Sequence, residues 1–304
     1  MTAYLSIYRS GELRDRVEAA RSLLRNCRVC PRHCGVDRLN GELGKCRTPG
    51  EVMVSSYGPH FGEESPLVGR NGSGTIFFTN CNLRCVFCQN YSISQLGEGD
   101  KVSKEELACM MLSLQDKGCH NINLVSPTHV VPQILEAFEM AVKSGLQLPL
   151  VYNSGGYDSI ETLRLLEGIV DIYMPDMKYG DNEPGKKYSR PPIPDYWDRN
   201  REAVKEMHRQ VGDLKVDERG IAKRGLLIRH LVLPDDIAKS ENILKFIAKE
   251  ISKNSYVNIM SQYYPSGEAF KFPELNRPVS EKEFLKVIQI AKKLGLTRGF
   301  IPPF

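Results

Sequence analysis

Short apolar runs alternate with amphipathic stretches over most of the chain from Thr75 onward. The apolar runs predict strands that are buried on both faces, and apolar positions spaced three and four apart predict helices. The predicted strands are residues 75–79, 122–125, 150–152, 172–174, 226–233 and 257–260. The predicted helices begin at Ser103, near Pro132, after Asp158, around residue 199, at Ser240 and at Ser280. Right-handed crossovers between such units predict an α/β fold, a partial (β/α)6 barrel of parallel strands.

The first 70 residues follow a different pattern. An amphipathic helix is predicted over residues 10–26, and a cysteine-rich stretch follows it. Residues 50–74 are predicted to be irregular, because Gly and Pro recur there. We therefore divide the chain into an N-terminal module, residues 1–70, and a barrel, residues 71–304.

Composition narrows the classes of protein. The 304 residues are 41% hydrophobic and carry a formal net charge of +4, which fits one large core with a small appendage. Lys and Arg are scattered, so no nucleic-acid partner is expected. No apolar run reaches membrane-spanning length or forms a signal peptide at the N-terminus, so no membrane association is expected. Most of the nine cysteines fall in two groups, which predicts metal binding in a reducing cytoplasm. The other two, Cys109 and Cys119, are predicted to be small buried side chains.

Three cysteines directly follow the first predicted strand. Cys81, Cys85 and Cys88 are spaced C-x3-C-x2-C on the loop after residue 79. A structural zinc site needs four ligands, and no fourth cysteine or histidine follows nearby. A cubane iron–sulfur cluster also takes four thiolates as a rule, so three would leave one iron open. An open iron can chelate the amino and carboxylate groups of S-adenosylmethionine (SAM), whose sulfonium an electron from the cluster can then cleave to a 5′-deoxyadenosyl radical.

This loop resembles the signature of the radical SAM superfamily, including the aromatic Phe87 just before the third cysteine. The resemblance implies that Cys81, Cys85 and Cys88 ligate a [4Fe–4S] cluster. It also implies that Phe87 lies beside the adenine of SAM.

A second cysteine group lies in the N-terminal module. Its members, spaced C-x2-C-x3-C-x11-C, are Cys27, Cys30, Cys34 and Cys46. Four thiolates with this knuckle spacing fit a structural zinc, and they also fit a second iron–sulfur cluster. The spacing matches no standard ferredoxin run, which favours zinc, but both interpretations stay open.

Polar residues stand at the carboxyl ends of the predicted strands, where active sites of parallel α/β folds lie. We expect them to form a ring of donors and acceptors that faces the cysteine loop. The members of this ring that we select are Ser126, Thr128, Asn153, Ser154, Asp176, Lys178, Arg229 and Gln262. Asp176 and Lys178 stand beside Pro175 and are expected to lie outside any ion pair.

Over residues 75–265 the order of these motifs is similar to that of the activating enzymes of glycyl-radical enzymes, such as the pyruvate formate-lyase activating enzyme. The resemblance implies that Asp176 and Lys178 act near the SAM carboxylate and the substrate. It places Asn153 at the ribose and Arg229 on the fifth strand beside the cofactor. It also implies a flavodoxin or ferredoxin-type reductant and a protein substrate. The chain departs from that family where Ser126-Pro-Thr128 replaces Gly-Gly-Glu, and in its extra N-terminal module.

Other interpretations remain. A radical SAM enzyme can instead modify a small molecule or a peptide. A protein of another class, a metal-binding module that carries electrons or recognises a partner, would need a fourth cluster ligand and no polar ring. His60, Glu63 and Glu64 fit either a solvated loop or a segment that contributes to a substrate site. Tyr196 and Trp197 are predicted to begin a helix and to pack on the barrel exterior.

Overall fold

A computed structural model describes residues 2–300 and contains nine strands in these residues. The strands are β1 (Val52–His60), β2 (Ser73–Phe78), β3 (Asp100–Val102), β4 (Ile122–Val125), β5 (Leu150–Ser154), β6 (Ile172–Pro175), β7 (Lys215–Val216), β8 (Ala222–Leu231) and β9 (Tyr256–Met260). Their order in the sheet is β3-β1-β2-β4-β5-β6-β8-β7, and β9 also pairs with β8, outside this path. The strands β2, β4, β5, β6, β8 and β9 pair in parallel. The predicted α/β fold with a parallel, partly closed sheet is therefore confirmed.

Helices connect and cover the strands. They are α1 (Tyr4–Arg9), α2 (Glu12–Ser22), α3 (Ser65–Val68), α4 (Lys104–Asp116), α5 (Val131–Lys143), α6 (Ile160–Leu165), α7 (Asn182–Ser189), α8 (Tyr196–Val211), α9 (Ser240–Phe246) and α10 (Glu281–Lys293). Short 3-10 turns lie at Arg38–Asn40, Thr128–Val130, Pro234–Asp236, Ala269–Lys271 and Pro273–Leu275, and π-helical turns at Ser92–Leu96 and Ile247–Ile251. None of these helices, within residues 2–300, is both long and apolar enough to cross a membrane.

The parallel strands β5, β6 and β8 divide their apolar side chains between two clusters. Tyr152 and Ile228 pack outward under the helices, whereas Val151 and Leu227 point to the inner face of the sheet. Alternation of this kind follows from the period-2 geometry of a strand. Leu67 of α3 joins the inner cluster and is fully buried there. The short helix α3 therefore fills the inside of the partial barrel below the carboxyl ends of its strands.

The elements that sequence periodicity predicts are largely confirmed. All six parallel strands are present, although the fifth runs over Ala222–Leu231 rather than residues 226–233. Ser103 and Ser280 each cap their helix through a capping box with a Glu three residues on. The helix predicted around residue 199 begins earlier, at Tyr196, and the helix predicted over residues 10–26 is Glu12–Ser22.

The prediction that residues 50–74 are irregular is wrong. Val52–His60 forms β1, which pairs antiparallel with β2 along most of its length. Gly58 and Pro59 made this stretch resemble a loop, since proline cannot donate to a strand ladder. Here β3 pairs only with Val52–Val54, so Pro59 lies where β1 has a neighbour on one side alone. An edge position of this kind accommodates a residue that has no N–H to donate.

Candidate active site

A cavity of about 230 Å³ opens at the carboxyl ends of the parallel strands, and it brings together most of the side chains that the sequence predicts for the site. Its wall includes the three loop cysteines and Phe87, together with Ser126, Asn153, Ser154, Asp176, Lys178, Arg229 and Gln262. The structure does not bring Thr128 to this wall. The hydroxyl of Thr128 is buried and donates to Asp158 Oδ1 at 2.7 Å.

The three loop cysteines are free thiols on one side of the cavity. Ser94 Oγ donates to Cys88 Sγ at 3.1 Å, and the hydroxyl of Ser189 lies 2.9 Å from Cys85 Sγ. The backbone N–H of Leu83 donates to Cys81 Sγ at 3.4 Å. Burial raises the pKa of Cys81 to about 12, and the neighbouring thiols of Cys85 and Cys88 add to this effect. Neighbouring thiols that are buried or partly buried need a cationic centre nearby before they can ionise together.

A chain of charged side chains also lines the cavity. Asp176 accepts from Lys178 Nζ at 2.6 Å and from Arg229 Nε at 2.9 Å. Burial alone would raise the pKa of Asp176, but Arg229 and Lys178 outweigh it and hold that pKa below its usual value. The expectation that Asp176 and Lys178 lie outside any ion pair is therefore wrong. Asp176 is the shared counter-ion of two cations at the end of β6.

Phe87 forms part of the apolar wall. Its ring meets Tyr179 and Tyr263 edge-on, with centroids 6.4 and 5.8 Å apart. Such edge-to-face contacts fix the orientation of a ring. Phe87 therefore presents a rigid apolar surface next to the thiols.

Two buried residues that the sequence interpretation did not select hold the wall in place. Asp158 accepts hydrogen bonds from Tyr152 at 2.8 Å and from Ser154 Oγ at 2.7 Å. Tyr196 is fully buried; its hydroxyl donates to Gly155 O at 3.0 Å and accepts from the backbone N–H of Lys178 at 3.1 Å. The prediction that Tyr196 packs on the barrel exterior is wrong. No local sequence pattern indicates this role, because Tyr196 joins loops that follow two different strands.

Glu63 and Glu64 are not in a solvated loop. Their side chains are only 8% and 6% exposed, and both carboxylates face Arg229 at 4.0 and 3.9 Å. Glu63 also lies 3.6 Å from the half-exposed ring of His60. Burial raises the pKa of Glu63 to about 7, although Arg229 opposes this shift, and the carboxylate of Glu64 adds to it.

Replacing Glu63 with Gln should remove a pH dependence of stability. Between its unperturbed pKa of 4.5 and its folded pKa of about 7, Glu63 binds a proton in the folded state that the unfolded chain has lost, so stability falls as pH rises through this window. Gln cannot ionise. The free energy of unfolding of Glu63→Gln relative to wild type should therefore rise by up to about 3 kcal/mol between pH 4.5 and pH 8. Urea denaturation of both proteins across this range tests it; parallel pH profiles would show that Glu63 ionises normally.

The N-terminal module packs against the cysteine loop. Arg32, between Cys30 and Cys34, donates to the backbone carbonyl of Asn82 and, at 2.7 Å, to that of Arg190. Cys27, Cys30 and Cys46 are buried and Cys34 is partly buried, all as free thiols. Burial raises the pKa of the Cys30 thiol, and the thiols of Cys46, Cys27 and Cys34 add to this effect. No group of three or more His, Cys, Asp or Glu within residues 2–300 is arranged to hold a metal ion.

The parallel sheet, the thiol wall and the polar ring together define an enzyme site of the kind found at the carboxyl end of a barrel. Residues 75–247 match the radical SAM superfamily, and the chain belongs to this family. It is also 34% identical over 291 residues to the uncharacterized protein MJ0674 of Methanocaldococcus jannaschii, a match that covers 92% of this chain and 78% of that protein.

Two solved structures are weakly similar to the chain. One is a radical SAM methyltransferase from Sphaerobacter thermophilus, with a TM-score of 0.47, 13% identity, and coverage of 75% of this chain and 65% of that chain. The other is native anSMEcpe with bound AdoMet, with a TM-score of 0.49, 11% identity, and coverage of 73% and 61%. The chain thus spans less than two thirds of the length of either solved chain, and its likeness to both is weak.

Membership of this family implies a [4Fe–4S] cluster and SAM. The donor groups present suit both, although no three of them within residues 2–300 are arranged around a metal ion. Three free thiols line one cavity and would supply three of the four thiolates that a cubane cluster normally takes. Carboxylate, ammonium and guanidinium groups line the same cavity and can bind the charged end of an amino acid.

Proposed function

We propose that this protein cleaves SAM reductively and uses the resulting radical to install a radical on a partner protein, as the activating enzymes of glycyl-radical enzymes do. The observation that carries the first part is the cavity, in which three thiols face Asp176, Lys178 and Arg229. A bound cluster would supply the electron that opens the sulfonium. A flavodoxin or ferredoxin-type protein would be the reductant.

The residues of this chain have separate tasks in the proposal. Lys178 binds the carboxylate of SAM. Asp176 keeps Lys178 charged and oriented, because burial would lower the pKa of Lys178 and the carboxylate of Asp176 outweighs that effect. Asn153 and Ser154 line the wall at the end of β5, where they bind the ribose hydroxyls. Phe87 packs on the adenine. Ser126 and Gln262 offer the remaining polar contacts around SAM.

The activase part rests on the order of motifs over residues 75–265. Its test is to mix the reduced protein, SAM and a protein from the same organism that carries a C-terminal glycyl-radical loop. We expect a protein-centred radical signal in the electron paramagnetic resonance spectrum, on the partner and only with SAM present. Formation of 5′-deoxyadenosine without any radical on the partner would contradict the activase part alone.

A small molecule or peptide as substrate is the second candidate. The observation in its favour is the pair of buried carboxylates, Glu63 and Glu64, beside Arg229 on the inner face of the barrel. Formation of a radical on a glycine backbone would not require a pair of buried carboxylates. Mass analysis of products formed from a cell extract with SAM labelled at the 5′ carbon would separate this candidate from the activase.

The N-terminal module is proposed to bind a metal of its own, either zinc or a second iron–sulfur cluster. Cys27, Cys30, Cys34 and Cys46 lie on short loops that can close around a metal without help from the barrel. A bound metal would contribute folding free energy to the module directly. In a Cys81/Cys85/Cys88 triple-Ala protein we expect one metal centre per chain to remain.

Metal and sulfide analysis of that triple variant gives the result. One zinc per chain supports the structural site. Four irons with matching sulfide support an auxiliary cluster. Absence of both metals would contradict the proposal, because the four thiols would then be free.

A further inference from the structure

Several buried polar atoms below Arg229 have no hydrogen-bond partner within residues 2–300. They are both side-chain amide atoms of Asn123, Oδ1 of Asn258 and Oε2 of Glu64. Asn123 is fully buried, and Asn258 and Glu64, taken as whole residues, are 5% and 8% exposed. Buried polar groups are nearly always paired in folded proteins, so several orphans in one place need an explanation.

These atoms belong to one compact group on the inner face of the sheet. Asn258 Nδ2 donates to Glu64 Oε1 at 3.0 Å, which joins β9 to the segment before α3. The amide of Asn123 on β4 lies against the carboxylate of Glu63 and lowers its pKa, without a hydrogen bond of normal geometry. Arg229 stands between this group and the cavity above it. We call Glu63, Glu64, Asn123 and Asn258 the inner acidic subsite.

Arg229 does not saturate the two carboxylates. Its Nη1 is 4.0 Å from Glu63 and 3.9 Å from Glu64, both beyond hydrogen-bond distance, whereas its Nε bonds Asp176 at 2.9 Å. With all groups ionised, Asp176, Glu63 and Glu64 carry one more charge than Arg229 and Lys178. Three of the orphan atoms are acceptors. The described residues of the subsite therefore present more acceptor atoms than donors that reach them.

We propose that the inner acidic subsite binds the ammonium group of an alkylamine substrate, with its alkyl chain in the cavity above. An ammonium offers three donors on one small charged centre, which matches the surplus of acceptors. Val125, Leu231 and Met260 supply apolar wall between the subsite and the thiols. This inference rests on the second candidate function, SAM cleavage with a small molecule or peptide as substrate, because it names the substrate class of the same cavity. The amine can belong to a free molecule or to a lysine side chain of a polypeptide.

The test measures binding of three probes of similar size to the anaerobic, cluster-loaded protein: n-butylammonium, n-butanol and butyrate. We expect n-butylammonium to bind at least about tenfold more tightly than the other two, because removing one partner of a buried charge pair is costly. Glu64→Gln should reduce n-butylammonium binding by about tenfold or more. Glu51→Gln is the matched control, because the carboxylate of Glu51 is exposed and pairs with Lys101. This variant should bind n-butylammonium as wild type does.

Asn123→Leu is a second variant that a purely structural role would affect differently. Leu removes the orphan amide without much change of shape, so the folded protein should be as stable as wild type or more stable. Binding of n-butylammonium should nevertheless fall. Equal binding of the three probes, or unchanged n-butylammonium binding in both Glu64→Gln and Asn123→Leu, would overturn the proposal and leave ordered water as the filler of the subsite.

The two sources of the amine are distinguished by peptides. A lysine-containing tetrapeptide that binds more tightly than n-butylammonium supports a polypeptide substrate, and the reverse order supports a free amine. SAM cleavage by the wild-type protein is measured separately. If the protein does not cleave SAM but still binds the amine in a Glu64-dependent way, the proposed function is wrong and the subsite stands. If the protein cleaves SAM but does not select the amine, the proposed function stands and the subsite is wrong.

Discussion

A Cys85→Ala protein is expected to lose its barrel cluster and to form no 5′-deoxyadenosine from SAM and dithionite. Cys85 lies in the same cavity wall as Cys81 and Cys88, and its thiol contacts Ser189 at 2.9 Å. With only two thiolates left, two corners of a cubane would have no protein ligand. Loss of a ligand should exceed the roughly 10–100-fold effect of removing a residue that merely supports one.

The matched control for this variant is Cys109→Ala. Cys109 lies exposed on α4, so the prediction that it is a buried residue is wrong, and it is absent from the cavity wall. Its removal should change neither the iron content nor the product yield. Undiminished turnover in Cys85→Ala would show that the cysteine loop does not hold the reactive cluster.

Asp176→Ala should be the most damaging single change to the polar ring. It leaves Lys178 and Arg229, whose side chains are 19% and 20% exposed, without their shared counter-ion. Breaking a buried pair by removal of one partner typically costs about 3–5 kcal/mol of folding free energy. SAM binding should weaken as well, because the ammonium of Lys178 loses the group that aims it.

Lys178→Ala should be milder for stability, since Asp176 keeps its bond to Arg229. We expect it to retain its iron and to bind SAM more weakly or to cleave it without coupling to substrate. Urea denaturation and SAM titration of both variants test this order, with Glu51→Ala as an exposed-pair control. A Lys178→Ala protein less stable than Asp176→Ala would contradict the role of Asp176 as shared counter-ion.

The parallel strands and the cysteine loop could be predicted because their signals are local. A buried strand such as Ile122–Val125 is a continuous apolar run, and Cys81, Cys85 and Cys88 lie within eight residues of one another. The capping boxes at Ser103 and Ser280 are local for the same reason.

The parts that the sequence did not reveal depend on distant contacts. β1 is a strand because β2 pairs with it, and its Gly and Pro argue the other way. Glu64 becomes buried only when β8 and β9 bring Arg229 and Asn258 to it. Tyr196 connects the loops after β5 and β6, which lie about 40 and 20 residues away along the chain, respectively. A carboxylate or a phenol has no periodicity that would indicate such a partner.

We propose that the loop cysteines and the polar ring together form a site for reductive cleavage of SAM. The most direct measurement is the yield of 5′-deoxyadenosine and methionine from the anaerobic, iron-loaded wild-type protein given SAM and dithionite. We expect both products in equal amounts, dependent on dithionite. A protein that carries its four irons and binds SAM but forms neither product would contradict it.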